Sequence, residues 1–531
     1  MATRSPRLEG DPCRSVTERY GGTGTGSRGR GIRVAKAPTK YPFVRSELVN
    51  GDTRQHETPP AAPAAPAPRR PTFGVALVPL LSMALLLGVG YGVYRIKAQV
   101  LLVAAASVTA AVGLLLGFKW RDMERGIVES IHKAMPAILI MLSVGILVGA
   151  WMASGTIPMV IYYGLKLISP RFFLVTACLV CSIVSLATGT SWGTVGTLGV
   201  AFIGIAMGLG VPPGPAAGAV VAGAYFGDKM SPLSDIPNLA TVISGSNLFD
   251  HIRHMMWSAA PAWLAGLAIY AAVGLRYGGS PVRSDAMTLI TETLRTNFRF
   301  HVLLLLPMAV IFTFAIAKKP TIPAMILSSL VAGVLAVVFQ KASVATVAAA
   351  MNSGFPARTG VELVDKLLAK GGMMSMMETQ LIAFTAFSFG GIMQATGCLA
   401  VILERVMKFT RQVWSLVVTT VGASVLSAAI TGSSYLAMII PADLLAPVYR
   451  EKGLAAKNLS RIIEESGGII VPLIPWSMAG VYITGTIGVP TFTYLPWAFM
   501  NYLSVVMLVV FGATKWTMAP RVREDETQPG S

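Results

Sequence analysis

Stretches of about 18 to 22 apolar residues recur along this chain, each long enough to cross roughly 30 Å of hydrocarbon as a single helix. Lipid offers no partner for a bare peptide group, so a chain built this way must satisfy its backbone within each segment. The clearest stretches lie near 73–94, 98–118, 135–153, 172–187, 191–210, 256–275, 302–317, 321–339, 379–396, 413–430 and 494–513. Two weaker runs, near 156–168 and 398–407, are short or polar-flanked and suit half-spans better than crossings. Ten to thirteen membrane segments in all predict an all-α polytopic membrane protein. Composition agrees: 53% of the 531 residues are hydrophobic and 13% are charged, against roughly a quarter charged in soluble domains.

The net charge of +18 sits mainly outside the apolar stretches, in the N-terminal tail and in loops such as 119–133 and 450–461. It therefore bears on membrane orientation and on anionic lipid. A basic patch with interleaved aromatics, which nucleic acid would need, is absent. Residues 1–71, rich in Gly, Pro, Ala, Ser and Arg, read as a disordered tail. Its thirteen Lys and Arg against six Asp and Glu favour a cytoplasmic N-terminus. No cleavable signal peptide is expected, because the first apolar run begins only near Thr72. Cys178 and Cys181 share a C-x-x-C spacing inside an apolar run and read as small packing residues on a helix face.

The chain also repeats itself. Gly149-Ala150-Trp151-Met152-Ala153-Ser154-Gly155 returns as Gly391-Ile392-Met393-Gln394-Ala395-Thr396-Gly397, an offset of 242. Val175-Thr176 and Thr188-Gly189-Thr190-Ser191-Trp192 match Val418-Thr419 and Thr431-Gly432-Ser433-Ser434-Tyr435 at 243, and Pro232-Leu233 matches Pro472-Leu473 at 240. These matches predict a first repeat over 72–250, a connecting helix and loop over 251–299, a second repeat over 300–514 and a polar C-terminal tail over 515–531. An odd number of crossings between equivalent elements makes the repeats inverted, with broken helices or re-entrant hairpins.

Both copies set Thr-Gly and hydroxyl residues at the end of an apolar helix. Glycine there frees backbone carbonyls, which with Thr188, Ser191, Thr431, Ser433 and Ser434 offer the neutral oxygens that hard cations prefer. Asp228, Ser231, Asp235 and Asn238 follow at i, i+3, i+7 and i+10, one face of a helix that Pro232 and Pro237 interrupt; Ser234 lies among them. Carboxylates at membrane depth are costly and mark ion or proton sites. Desolvation favours their protonated form and a bound cation their ionised form, so the two ions compete. The plainer reading is a solvated loop in which Lys229 neutralises Asp228 or Asp235. In the second half Glu464 and Glu465 are the corresponding acids, Glu465 falling three residues before the position equivalent to Asp228 at the 240 offset. Asp443 is a further buried candidate, and His251 and His254 read as polar-loop residues with a surface role. Walker-type loops, nucleophile elbows and H-E-x-x-H helices are absent, so ATP-driven transport is excluded for this chain.

The run Gly223-Ala224-Tyr225-Phe226-Gly227-Asp228-Lys229-Met230-Ser231-Pro232-Leu233-Ser234-Asp235, with Asn238-Leu239-Ala240, resembles the NhaC-type sodium/proton antiporter family, which includes sodium-linked malate/lactate exchangers. Gly189-Thr190-Ser191-Trp192-Gly193-Thr194, Asn458-Leu459-Ser460-Arg461 and Pro472-Leu473-Ile474-Pro475-Trp476 share the resemblance, which extends over about 73–514. It implies antiport of sodium and protons at the cytoplasmic membrane, an ion-transporter superfamily fold, and a homodimer; no cofactor beyond the transported ions is implied. The family's Asp-Thr-Thr-Asn is here Asp235-Ile236-Pro237-Asn238, which removes two hydroxyls and leaves another cation or an organic substrate open. In an organic-acid exchanger Arg461 or a helix N-terminus is the carboxylate's partner. An intramembrane aspartyl protease using Asp228 and Asp443, and a passive channel, are the remote readings.

Overall fold

The computed structural model describes residues 68–277, 282–408, 410 and 412–520. The predicted tail therefore lies outside the described residues up to 67, and the C-terminal tail from 521. The chain opens with α1 (Phe73–Tyr91), α2 (Ala98–Leu115) and the long α3 (Trp120–Ser154). Gly155, at φ 85°, ends α3, and α4 (Thr156–Leu167) starts directly after it, so the weak 156–168 run is a separate short helix. Then come α5 (Pro170–Thr188), α6 (Ser191–Gly208), α7 (Pro213–Met230), α8 (Asp235–Ser244) and α9 (Leu248–Tyr277).

The second half runs α10 (Val282–Asn297), α11 (Val302–Ile316), α12 (Thr321–Gln340), α13 (Val344–Ser353) and α14 (Glu362–Leu368). It continues with α15 (Met373–Ala395), α16 (Cys398–Met407), α17 (Val413–Thr431), α18 (Ser434–Glu451), α19 (Ala456–Leu473), α20 (Met478–Ile487), α21 (Thr491–Trp497) and α22 (Phe499–Thr514). Eight of these helices are long and apolar enough to cross a membrane, and up to twelve crossings result if each of four bent pairs forms one span. The pair α15–α16 bends by 70° at Gly397 and α19–α20 by 42°.

Small residues let the central helices meet. A Cβ on Gly223 would come within 2.2 Å of the Cys178 carbonyl, and one on Gly227 within 2.2 Å of the Ser182 carbonyl. Backbone of α7 thus lies directly on backbone of α5, and the Ser185 hydroxyl seals the contact by donating to the Ala224 carbonyl at 2.6 Å. Cys178 and Cys181 are buried free thiols at this seam, as packing residues should be.

The same kind of break occurs in both halves. In the first half α5 stops at Thr188, Gly189 turns left-handed at φ 69°, and Thr190 caps α6 by accepting from the Gly193 amide. In the second, α17 stops at Thr431, Gly432 turns at φ 65°, and Ser433 caps α18 by accepting from the Leu436 amide. Each break rests on a second break. Gly189 packs against Leu233 and Ser234, and Gly432 against Trp476 and Ser477, with the Met478 amide donating to the Gly432 carbonyl at 2.9 Å. Ser234 and Ser477 both cap the helix that follows. Pro232-Leu233-Ser234 therefore corresponds to Pro475-Trp476-Ser477, an offset of 243 that matches the other breaks and corrects the 240 read from Pro472-Leu473. In this register Asp228 corresponds to Val471 and Glu465 to Ala222, so the acids of the two halves are not equivalent.

Candidate ion-binding cavity

A cavity of about 850 Å³ lies beside the two pairs of breaks. Thr188, Gly189, Thr190 and Ser191 line it from the first half, and Ser433, Ser434 and Tyr435 from the second. Asp228, one turn from the end of α7, is 6% exposed, and its Oδ2 accepts a 2.7 Å hydrogen bond from the Ser191 hydroxyl. Its Oδ1 is enclosed and has no hydrogen-bond partner, and neither has the Thr188 hydroxyl on the same cavity. A carboxylate oxygen and a hydroxyl left open in a buried chamber are what a small cation needs.

Asp235, at the start of α8, lines the same cavity from its exposed side. The Tyr435 hydroxyl of α18 donates to its Oδ2, tying the first half to the second. Lys133, Lys318 and Lys319 also line the cavity, and Pro136, Ile140, Phe312 and Phe314 give it an apolar flank.

Other predicted ligands serve the turn, Ser234 while also acting on the Asp228 carboxylate. The Ser231 hydroxyl accepts from the Leu233 amide and Ser234 from the Ile236 amide, each at 3.3 Å. The exposed Asn238 donates to the Pro232 and Ser234 carbonyls at 3.1 and 2.5 Å. None of the three lines the cavity. Pro232 breaks the helix on which the one-face argument depended, so the i, i+3, i+7, i+10 stripe does not survive past Met230. Thr431 likewise spends its hydroxyl on the Ser427 carbonyl at 2.7 Å, outside the cavity.

Glu464 and Glu465 are fully buried but also stand off the cavity, in a five-residue π turn (Glu464–Gly468) within α19. Such turns recur at functional sites. Lys229 does not neutralise Asp228 or Asp235 at a surface: it is 2% exposed, and its ammonium donates to the Glu464 carbonyl at 3.0 Å and stands 3.8 Å from Glu464 Oε1. His251, expected in a surface loop, is fully buried on α9, 2.8 Å from Glu464 Oε2 and 2.9 Å from the Ser460 hydroxyl; His254 is buried as well. The burial follows from a stripe on α9, His251, Met255, Ser258, Ala262 and Gly266, whose helical spacing could have revealed it. Asp443 is exposed on α18, and Arg461 is buried away from the cavity with Nη2 3.9 Å from Met518 Sδ. Neither holds the place the sequence suggested, because Asp443 lies on the outer face of its helix and Arg461 faces the segment after α22.

Crossed helix breaks around a chamber lined by both carboxylates and lysines, inside a bundle of long apolar helices, define a multi-pass integral membrane protein. Residues 223–516 match the Na+/H+ antiporter family. An uncharacterised Na(+)/H(+) antiporter of Haemophilus influenzae is 42% identical over 84% of this chain and 97% of its own length. The malate-2H(+)/Na(+)-lactate antiporter of Bacillus subtilis is 34% identical over 78% and 89%, and the Na(+)/H(+) antiporter NhaC of Alkalihalophilus pseudofirmus 36% over 84% and 96%. The chain belongs to the Na+/H+ antiporter family.

Proposed function

We propose that this protein is a secondary active transporter that exchanges sodium, or a similar monovalent cation, for protons across the cytoplasmic membrane. The observation that carries the reading is Asp228: a buried carboxylate with one oxygen held by Ser191 and the other open, between two broken helices. Asp228 and Asp235 supply the charge, and Thr188, Ser191, Ser433 and Ser434 the neutral oxygens around the same chamber. The relatives named as sodium/proton antiporters support the choice of ion. The matched break geometry supports two repeats in inverted orientation, and the basic tail supports a cytoplasmic N-terminus. By resemblance the working form is a homodimer.

The test is proton flux in everted vesicles on addition of sodium, lithium or potassium. Asp228→Asn is expected to lower cation-dependent flux at least tenfold, and undiminished flux would remove the reading. A sodium- and proton-coupled exchanger of small organic acids is the second reading. It is favoured by the size of the chamber, its Lys133, Lys318 and Lys319, and the malate/lactate relative. Flux that requires malate or lactate in addition to sodium selects it.

A further inference from the structure

Lys229 belongs to two places at once. It lines the cavity beside Asp228, and its ammonium lies on the π turn of α19, against the Glu464 carbonyl. Behind it, Glu465 is fully buried and neither of its carboxylate oxygens has a hydrogen-bond partner. The charged groups acting on Glu465 are Lys229 of α7 and Arg461 and Glu464 of its own helix. His251 and His254 come from α9, and Tyr449 of α18 is buried near Arg461. Asp235 is the acid of α8, which also packs on the turn. The α17 face here is Ser424 and Ser427 and the α22 face Asn501 and Ser504, all neutral and buried.

Among the ionised acids and bases, Asp228, Glu464 and Glu465 carry three negative charges against the two positive charges of Lys229 and Arg461, with His251 hydrogen-bonded to Glu464. An unbalanced charge in such an interior is costly, and one proton or one monovalent cation removes it. The three acids are not equally placed to take the proton. Asp228 has Ser191 as a donor and an open oxygen on the cavity, and Glu464 has His251 and the ammonium of Lys229. Glu465 makes no close hydrogen bond; the Ser258 hydroxyl of α9, which donates to the Met255 carbonyl at 3.3 Å, is the one donor acting on it. We propose that the proton exchanged for the cation is carried by Glu465, outside the cavity, and that cation and proton exclude each other across Lys229 without sharing a ligand. As the cation leaves Asp228, the Glu465 carboxylate takes up one proton; as a cation enters, that proton departs.

The proposal rests on the exchange reading, and cation binding separates the two. In the purified wild-type protein the half-saturating sodium concentration, followed with radioactive sodium, is expected to rise about tenfold per unit fall in pH in the range where one proton competes. If wild-type binding shows no such competition, the exchange reading itself fails. In Glu465→Gln, which mimics the protonated side chain, the dependence is expected to shrink below about twofold per unit, with weaker sodium binding at high pH. A folded Glu465→Gln protein that keeps the tenfold dependence, or that binds no sodium at any pH, overturns the proposal. Glu465→Asp retains an acid but moves it relative to Lys229, and is expected to displace the pH at which competition begins; an unchanged onset overturns the proposal too.

Discussion

The Ser191 hydroxyl makes the close 2.7 Å hydrogen bond to the Asp228 carboxylate, so its removal reads directly on the cavity. Ser191→Ala is expected to weaken cation binding about tenfold, from the 1.5–3 kcal/mol a hydrogen bond to a charged group contributes, while leaving the fold intact. Unchanged sodium affinity in that variant would mean that Asp228 is oriented by something else. Asp228 and Ser191 were legible in the sequence because an acid or a hydroxyl run inside apolar surroundings stands out. Asn238 and Ser231 were misread for one reason: a helical-face projection assumes that the helix continues, and Pro232 ends it. His251 was missed because its neighbours Asp250 and Arg253 look like a loop, although the buried stripe below it follows helical spacing.

At the scale of elements, the left-handed glycines separate conformation from contact. Gly189 and Gly245 both sit at positive φ, 69° and 74°, but a Cβ on Gly189 would come within 2.7–2.9 Å of Leu233 and Ser234, whereas nothing lies within 4 Å of one on Gly245. Gly245→Ala is therefore expected to cost about 1–2 kcal/mol, the ordinary left-handed penalty. Gly189→Ala is expected to cost about 1–3 kcal/mol more, because it forces two breaks apart. Thermal unfolding of the two purified variants checks the difference, and equal costs would mean that the crossing has slack. The duplicated Thr-Gly-hydroxyl runs announced these breaks without structural help. The correct offset between the second pair of breaks was hidden because Pro472-Leu473 imitates Pro232-Leu233, while the geometry aligns Pro475 and Ser477 instead.

Across the whole molecule, α20 of the second half locks onto α6 of the first. Trp192 and Tyr482 stack at 4.4 Å, and the Tyr482 hydroxyl donates to the Trp192 carbonyl at 2.6 Å. The Val195 amide also donates to that carbonyl, so Tyr482→Phe removes one of its two donors and is expected to cost about 0.5–1.5 kcal/mol, read as a lower midpoint of thermal unfolding in detergent. This interlock, like the buried pairing of Lys229 with Glu464, joins residues far apart in the chain that no local pattern connects, so neither could be read from the sequence.

Because Gly189 bears on the backbone at Leu233 and Ser234, and Gly432 on that of Trp476 and Ser477, each crossing behaves as a small welded joint. Beside them the hydroxyl of Tyr435, reaching across to Asp235, ties the two halves together at the rim of the chamber.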